Sequence, residues 1–362
     1  MLMFQEQIIR LHHYYSYFII DKEKGFDSSN PLYFYIRTHV PDCLIVIFGP
    51  TAVGKSDFAE ILARKIPSEI INADLGQCYT PLSIGTAKPD WRSSDIKQHL
   101  FDWVDQPEMI SVLQYRNRVL PFLQKIRQAN ALPLIVGGSG FYIRSLFFPP
   151  QSMPLIQNRT NSETMAKDWN FLNHLDPERA SCIHPHDTYR INRAIEIYYS
   201  TGKKPSELNP QYQSIGSVCF VYLTRDKQEL YQRINLRTLQ MLGHGWIDEV
   251  RLLKNTPWET FLKKKKLIGY DDILNYLDSD QSEQDKEQLI EIIAQKTRNY
   301  AKRQTTFGNQ LYKELEKIGL DTKNTIMCTQ FNLTCGNIEL YINQLLETIN
   351  SMHCFEKKAK DA

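Results

Sequence analysis

No stretch of this 362-residue chain approaches the roughly 18 consecutive apolar residues that a membrane-spanning helix needs. An excess of charge is missing too: 43 Lys and Arg stand against 41 Asp and Glu, a formal net charge of +2. A nucleic-acid partner would therefore have to be read from where the basic residues sit, not from their total. The seven cysteines (Cys43, Cys78, Cys182, Cys219, Cys328, Cys335, Cys354) are scattered, odd in number and form no C-x-x-C pair, so neither a disulfide framework nor a zinc site is indicated. Reduced thiols and a cytoplasmic location are the expectation. Internal repeats and low-complexity tracts are absent. Residues 1–42 carry aromatic clusters but no continuous apolar segment, and they include Glu6, Asp21 and Glu23. That argues against a signal peptide, and an N-terminal extension is expected there.

What is present is an alternation of apolar runs, glycine turns and amphipathic segments. Cys43 to Phe48 reads as a buried strand, followed by a glycine-rich turn and a helix to about Lys65 with Phe58, Ile61 and Leu62 on one face. Glu69 to Asn72 reads as a second strand, Val112 to Gln128 as a helix and Leu132 to Val136 as a strand. Gly137-Gly138-Ser139-Gly140 then opens another helix. Strand, turn and helix in repetition imply an α/β fold: a P-loop NTPase-like parallel sheet with a mainly helical insertion and a helical C-terminal part. The core is expected over 43–148 and 211–335, the insertion over 149–210, and a C-terminal helix and tail over 336–362. Within the insertion, Asp187 reads as an N-cap, Ile191, Ala194, Ile195 and Tyr198 as one apolar stripe, and Gly202 as the stop. Val218 to Leu223 returns as a core strand, and a late helix is expected over about 283–304.

Gly49-Pro50-Thr51-Ala52-Val53-Gly54-Lys55-Ser56 follows a strand and opens a helix, the context a phosphate-binding loop requires. Its backbone N–H groups and the helix N-terminus would face an anionic phosphate cluster. Lys55 would reach phosphate oxygens, and Ser56 would be a ligand of Mg²⁺. A P-loop small-molecule kinase is the alternative reading, but it needs a second acid at the end of a neighbouring strand. Leu132 to Val136 ends in two glycines instead. Asp74, after the second strand, is the acid placed to reach the site, so the loop can cradle a departing diphosphate without phosphoryl transfer. Arg233 and Arg237, four apart and so on one helical face, could add a diphosphate clamp or simply be solvated.

The run Ile70-Ile71-Asn72-Ala73-Asp74-Leu75-Gly76-Gln77-Cys78-Tyr79, continuing through Ile84-Gly85-Thr86-Ala87-Lys88-Pro89, resembles the signature of the tRNA dimethylallyltransferase family. So do His99-Leu100-Phe101-Asp102, the Gly-Gly-Ser-Gly turn with Tyr142, and His184-Pro185-His186-Asp187 leading to Arg190 and Arg193. Thr201-Gly202-Lys203, Gly245 with Asp248-Glu249-Val250, Gly269-Tyr270 and Thr297 through Ala301-Lys302-Arg303-Gln304 complete the order, which covers about 43–310. Three positions depart from it: Leu75-Gly76 where the family commonly has Ser after the aspartate, Ser139 in place of Thr, and Phe307 in place of Trp. No C-terminal zinc finger is present, as in bacterial members.

The resemblance implies transfer of a dimethylallyl group from dimethylallyl diphosphate to N6 of the adenosine 3′ of a tRNA anticodon. It implies Asp74 as general base, with Lys55, Ser139 and Arg237 also in the catalytic set. Base contacts would come from Asp74, Leu75, Gly76, Gln77 and Ser139, although Ser139 is equally readable as a helix N-cap. Contacts to the rest of the tRNA would come from Tyr189, Arg190, Arg193, Lys266, Gly269, Tyr270, Arg298 and Lys302. A lysine run such as Lys263 to Lys266 is also what a solvated loop looks like. His184 and His186 read as capping or packing residues, and a monomer is the expectation.

Overall fold

The computed structural model describes residues 42–150, 168–208, 210–320 and 326–360, the last eleven by backbone only. The readings of 1–41 and of the polar stretch 151–167 lie outside the described residues. Six strands form one parallel sheet in the order β3-β2-β4-β1-β5-β6. They are β1 (Leu44–Phe48), β2 (Ser68–Asn72), β3 (Gln98–His99), β4 (Leu132–Gly137), β5 (Val218–Thr224) and β6 (Ile326–Asn332). The all-parallel arrangement follows from helical crossovers between the strands and bears out the expected α/β class.

β1 lies centrally, paired with β4 from Ile45↔Leu134 to Phe48↔Gly137 and with β5 from Leu44↔Val218 to Phe48↔Tyr222. Its five residues are all buried, as a strand covered on both faces requires. Alternate side chains go to opposite faces. Leu44, Val46 and Phe48 join one apolar cluster, and Ile45 and Ile47 join the other. Helices α1 (Lys55–Lys65) and α12 (Ile338–Lys360) cover the second face. The first is covered by α2 (Val112–Gln128), α3 (Gly140–Phe147) and the long α11 (Glu283–Leu320). α11 runs for 38 residues, well past the late helix that the apolar spacing suggested. Its close approach to the sheet depends on Gly308, where a Cβ would lie 2.7 Å from the rings of Phe48 and Tyr222.

Between α3 and β5 lie α4 (Trp169–Leu175), α5 (Pro177–Ser181) and α6 (Thr188–Thr201), packed around a small core of their own that includes Leu172, Ile183, Ile191 and Ile195. Asp187 caps α6 by accepting from Arg190 N–H at 3.1 Å, and Gly202 ends it with φ 68°. After β5 come α7 (Lys227–Gly243), α8 (Trp246–Leu253), α9 (Pro257–Lys265) and α10 (Tyr270–Leu277). β6 lies within the expected core range, at a place where no strand was expected. Its mixed, half-buried sequence is that of a sheet edge, whose place is decided by pairing with β5 along seven register positions, Val218↔Ile326 to Thr224↔Asn332. Among the described residues no helix is long and apolar enough to cross a membrane.

Candidate active site

The phosphate loop leaves the C-terminal end of β1 and enters α1 at Gly54, whose φ of 108° is one that side-chain-bearing residues rarely adopt. No side chain caps α1, so its first-turn N–H groups are left for an anion. The loop's other polar groups are held from behind by α7 and its approach. Arg225 Nε donates to Val53 O at 2.8 Å, Arg233 Nε to Ala52 O at 2.8 Å, and Arg237 Nη1 to Thr51 Oγ1 at 3.3 Å. Gly49 stands so close to β5 that a Cβ would meet Leu223 O at 2.5 Å. Val53 is buried, whereas Thr51, Ala52, Gly54, Lys55 and Ser56 line a cavity of about 450 Å³ with Asp74, Arg233 and Arg237. Lys55 Nζ donates to Pro50 O at 2.8 Å. Burial pushes its ammonium down to about 8, opposed by the Asp74 carboxylate and reinforced by Arg237.

The acid side of the cavity is built by β2 and the turn after β4. Buried Asn72 accepts from Asp74 N–H at 2.9 Å and donates to Asp74 O at 3.1 Å and Leu100 O at 3.1 Å. The Asp74 carboxylate accepts from Gly76 N–H at 3.3 Å. Ser139 occupies the N-cap position of α3 but makes no capping bond. Its Oγ accepts from Leu75 N–H at 2.9 Å, which ties the turn to the Asp74 segment. Gln77 lines the cavity, yet its amide donates to Thr86 O at 3.2 Å and Ala87 O at 3.3 Å. Its N–H groups are thus spent on the Ile84 to Ala87 loop, leaving its carbonyl as the edge to offer a base. Gly76 is buried beside Thr86.

That loop is latched by Glu249, which the sequence motif contains but whose role was not assigned. Its carboxylate accepts from the N–H groups of Ser83 at 2.9 Å, Ile84 at 2.6 Å and Gly85 at 3.2 Å, and from Tyr270 Oη at 2.7 Å. Tyr270 and Gly269, expected as tRNA contacts, are instead buried. Tyr270 packs edge-on against Trp246 at 5.6 Å between centroids, and a Cβ on Gly269 would lie 2.0 Å from the Trp246 ring. An aromatic with its hydroxyl satisfied by a carboxylate packs as a core residue.

The other basic residues are spread over the surface. Tyr189 is 79% exposed, and Arg190 and Arg193 share its helix. Arg190 pairs with Asp187 at 3.3 Å and Arg193 with Glu196 at 3.2 Å. Lys266 and Lys302 are exposed. Arg298 is only 12% exposed at its side chain and is engaged by Glu291 at 2.5 Å and Asn235 at 2.7 Å. A tRNA phosphate would have to compete with both. His184 and His186 lie 5.2 Å apart between ring centroids, and His184 Nδ1 accepts from His186 N–H at 3.2 Å, a local turn. Among the described residues no three His, Cys, Asp or Glu gather into a metal cluster.

A parallel sheet with a glycine loop, an uncapped helix and a facing carboxylate at its C-terminal edge defines a P-loop α/β transferase site. No acid ends β4, where a kinase would place one. The family model described as IPP transferase matches residues 77–310, and that described as isopentenyl transferase matches 43–109. The tRNA dimethylallyltransferase of Alkaliphilus oremlandii is 37% identical over 280 residues, 73% of this chain and 87% of that protein. The full-length tRNA isopentenylpyrophosphate transferase of Bacillus halodurans superposes with a TM-score of 0.58 at 26% identity, over 89% of this chain and 100% of that one. A eukaryotic dimethylallyltransferase acting on tRNA gives a TM-score of 0.63 at 28% identity, over 81% and 75%. The chain belongs to the tRNA dimethylallyltransferase (IPP transferase) family.

Proposed function

We propose that the cavity between the phosphate loop and Asp74 is where the diphosphate donor meets the adenosine amine. As an enzyme of its family, the protein transfers a dimethylallyl group to an adenosine of tRNA. The finer assignment is to N6 of the adenosine 3′ of the anticodon, with dimethylallyl diphosphate as donor. The observation that carries it is the joint placement of the loop, Lys55, Arg237 and Asp74 around one space. The N6 lone pair forms the new bond to C1 of the donor. The C1–O bond breaks with its electron pair leaving on diphosphate, and one N6 proton passes to the Asp74 carboxylate. Proton removal by a placed carboxylate contributes about 10²–10⁴ in rate. Loop N–H groups, Lys55 and Arg237 meet the charge developing on the leaving group. Phe101, Leu236 and Val136 add apolar lining to the same cavity, suited to a five-carbon chain.

Mg²⁺ fits this donor set. Ser56 is exposed at the first turn of α1, and Asp57 and Glu60 line the cavity beside it. A protein that supplies few hard oxygen ligands suits an ion that is shared with a diphosphate and keeps its waters. When bound there, the ion would neutralise leaving-group charge. Arg233 is engaged with Ala52 O, so it shapes the loop, while Arg237 reaches its inner side. The helical segment carrying Tyr189, Arg190 and Arg193 is the proposed insertion that grips the tRNA, with Lys266 and Lys302 as further phosphate contacts.

Two tests follow from the charges. Burial lowers the Lys55 ammonium to about 8, and a bound diphosphate would hold the proton to higher pH. Donor affinity is therefore expected to weaken as the pH rises through that range, by up to about tenfold per pH unit, and to weaken again below about pH 6, where the diphosphate itself takes up a proton. Lys55→Ala and Ser56→Ala weaken donor binding throughout, the former flattening the profile, with tRNA binding nearly intact. Calorimetric titration across the range checks this, and an unchanged slope in Lys55→Ala would remove Lys55 from the site. Arg190→Ala and Arg193→Ala should each weaken tRNA binding and reduce the salt slope by roughly one unit at most. Affinity and salt slope unchanged in both would remove the insertion from the tRNA interface.

A further inference from the structure

Gln304 is the buried polar member of the Ala301-Lys302-Arg303-Gln304 run, at 5% exposed. Its amide joins two backbone segments that belong to opposite sides of the cavity. Oε1 accepts from Thr51 N–H at 2.8 Å, inside the phosphate loop, and Nε2 donates to Gly138 O at 2.8 Å, in the turn after β4. A Cβ on Gly138 would stand 2.4 Å from that Nε2, so only glycine admits the bridge. The next residue, Ser139, accepts from Leu75 N–H at 2.9 Å, and Leu75 follows Asp74. Directed hydrogen bonds thus run from the diphosphate cradle to the carboxylate segment through the side chains of Ser139 and of Gln304, the latter carried by a 38-residue helix.

We infer that Gln304 is a positioning residue that couples the two halves of the site, so that diphosphate and the tRNA loop each strengthen the binding of the other. The inference rests on the site reading above. The physical cause is shared ordering. An anion in the cradle holds the loop around Thr51, and the planar Gln304 amide passes that restraint to Gly138 and Ser139. The second ligand then meets a segment already ordered, which is positive coupling without any large movement. Such coupling is reciprocal, and about fivefold or more is the usual scale.

The test uses the full chain, inorganic diphosphate with Mg²⁺, and an anticodon stem-loop RNA. Each ligand is titrated alone and in the presence of a saturating amount of the other. In the wild type, RNA should tighten diphosphate binding by at least about fivefold, and diphosphate should tighten RNA binding by the same factor. Gln304→Met should bring that factor to about one while each ligand alone binds within a few-fold of wild type. Gln304→Glu keeps the acceptor for Thr51 N–H but, when ionised, cannot donate to Gly138 O. It should lose the coupling as well, and it carries the comparison should the methionine variant melt early. A purely structural role would weaken both single affinities and leave the factor unchanged. Retention of the wild-type factor in a folded variant, or a wild-type factor of one, overturns the inference. Failure of diphosphate or RNA to bind the wild type alone would instead bring down the site reading, and the inference with it.

Discussion

Asp74→Asn lowers single-turnover prenyl transfer by at least about a hundredfold while leaving tRNA affinity little changed. The substitution preserves size and hydrogen-bonding shape. Asn72 still receives Asp74 N–H, and the amide oxygen can still accept from Gly76 N–H. What is lost is the negative charge proposed to accept the N6 proton as the new bond forms. The same charge acts on Lys55 and Arg237 across the cavity. Its removal therefore makes the cavity more positive, which favours the anionic donor in the ground state. Donor KM should hold or fall while turnover collapses. Quench-flow with saturating tRNA measures this directly, and turnover within a few-fold of wild type would remove Asp74 from the role of base.

The second large effect concerns stability. Asp102 and Lys88 form an ion pair with side chains 5% and 3% exposed. Asp102 also receives Arg92 at 2.7 Å and Trp91 Nε1 at 3.2 Å. Lys88 in turn donates to Tyr79 O at 2.8 Å and Thr80 O at 3.3 Å. Both residues lie in the motifs on which the family resemblance rests, and their geometry makes them a buried brace under the Asp74 to Tyr79 segment. Asp102→Ala leaves the Lys88 ammonium buried beside backbone carbonyls without its carboxylate. Breaking a buried pair from one side costs about 3–5 kcal/mol, a fall in Tm of about 4–7 °C for a chain of this size. Denaturant unfolding of the variant measures it, and a loss below about 1 kcal/mol would show that the pair behaves as a surface one.

Motif membership therefore does not distinguish chemistry from support. Lys55 and Asp74 face the cavity, whereas Lys88, Asp102, Glu249 and Tyr270 hold its walls. All sit in the motif runs of the sequence. The difference lies in what each side chain meets, and those partners are remote. Glu249 closes on residues 164 to 166 positions away, and Gln304 joins groups 253 and 166 positions away.

Local physics was legible from the residues alone. The run Leu44–Phe48 had to be a doubly covered strand, because nothing in it tolerates water. Gly54 had to turn the chain into α1, because its left-handed backbone excludes most other residues. Asp187 and Gly202 marked the ends of α6 through capping that depends on neighbours three or four residues away. Parallel order follows from the alternation of strands with helices. The placement of β6 at the sheet edge, the extension of α11, the engagement of the Gln77 amide and the burial of Tyr270 were decided only in three dimensions. Each depends on a partner chosen by packing across the sheet, where a hydrogen bond between distant residues leaves no period or spacing in the sequence that could announce it.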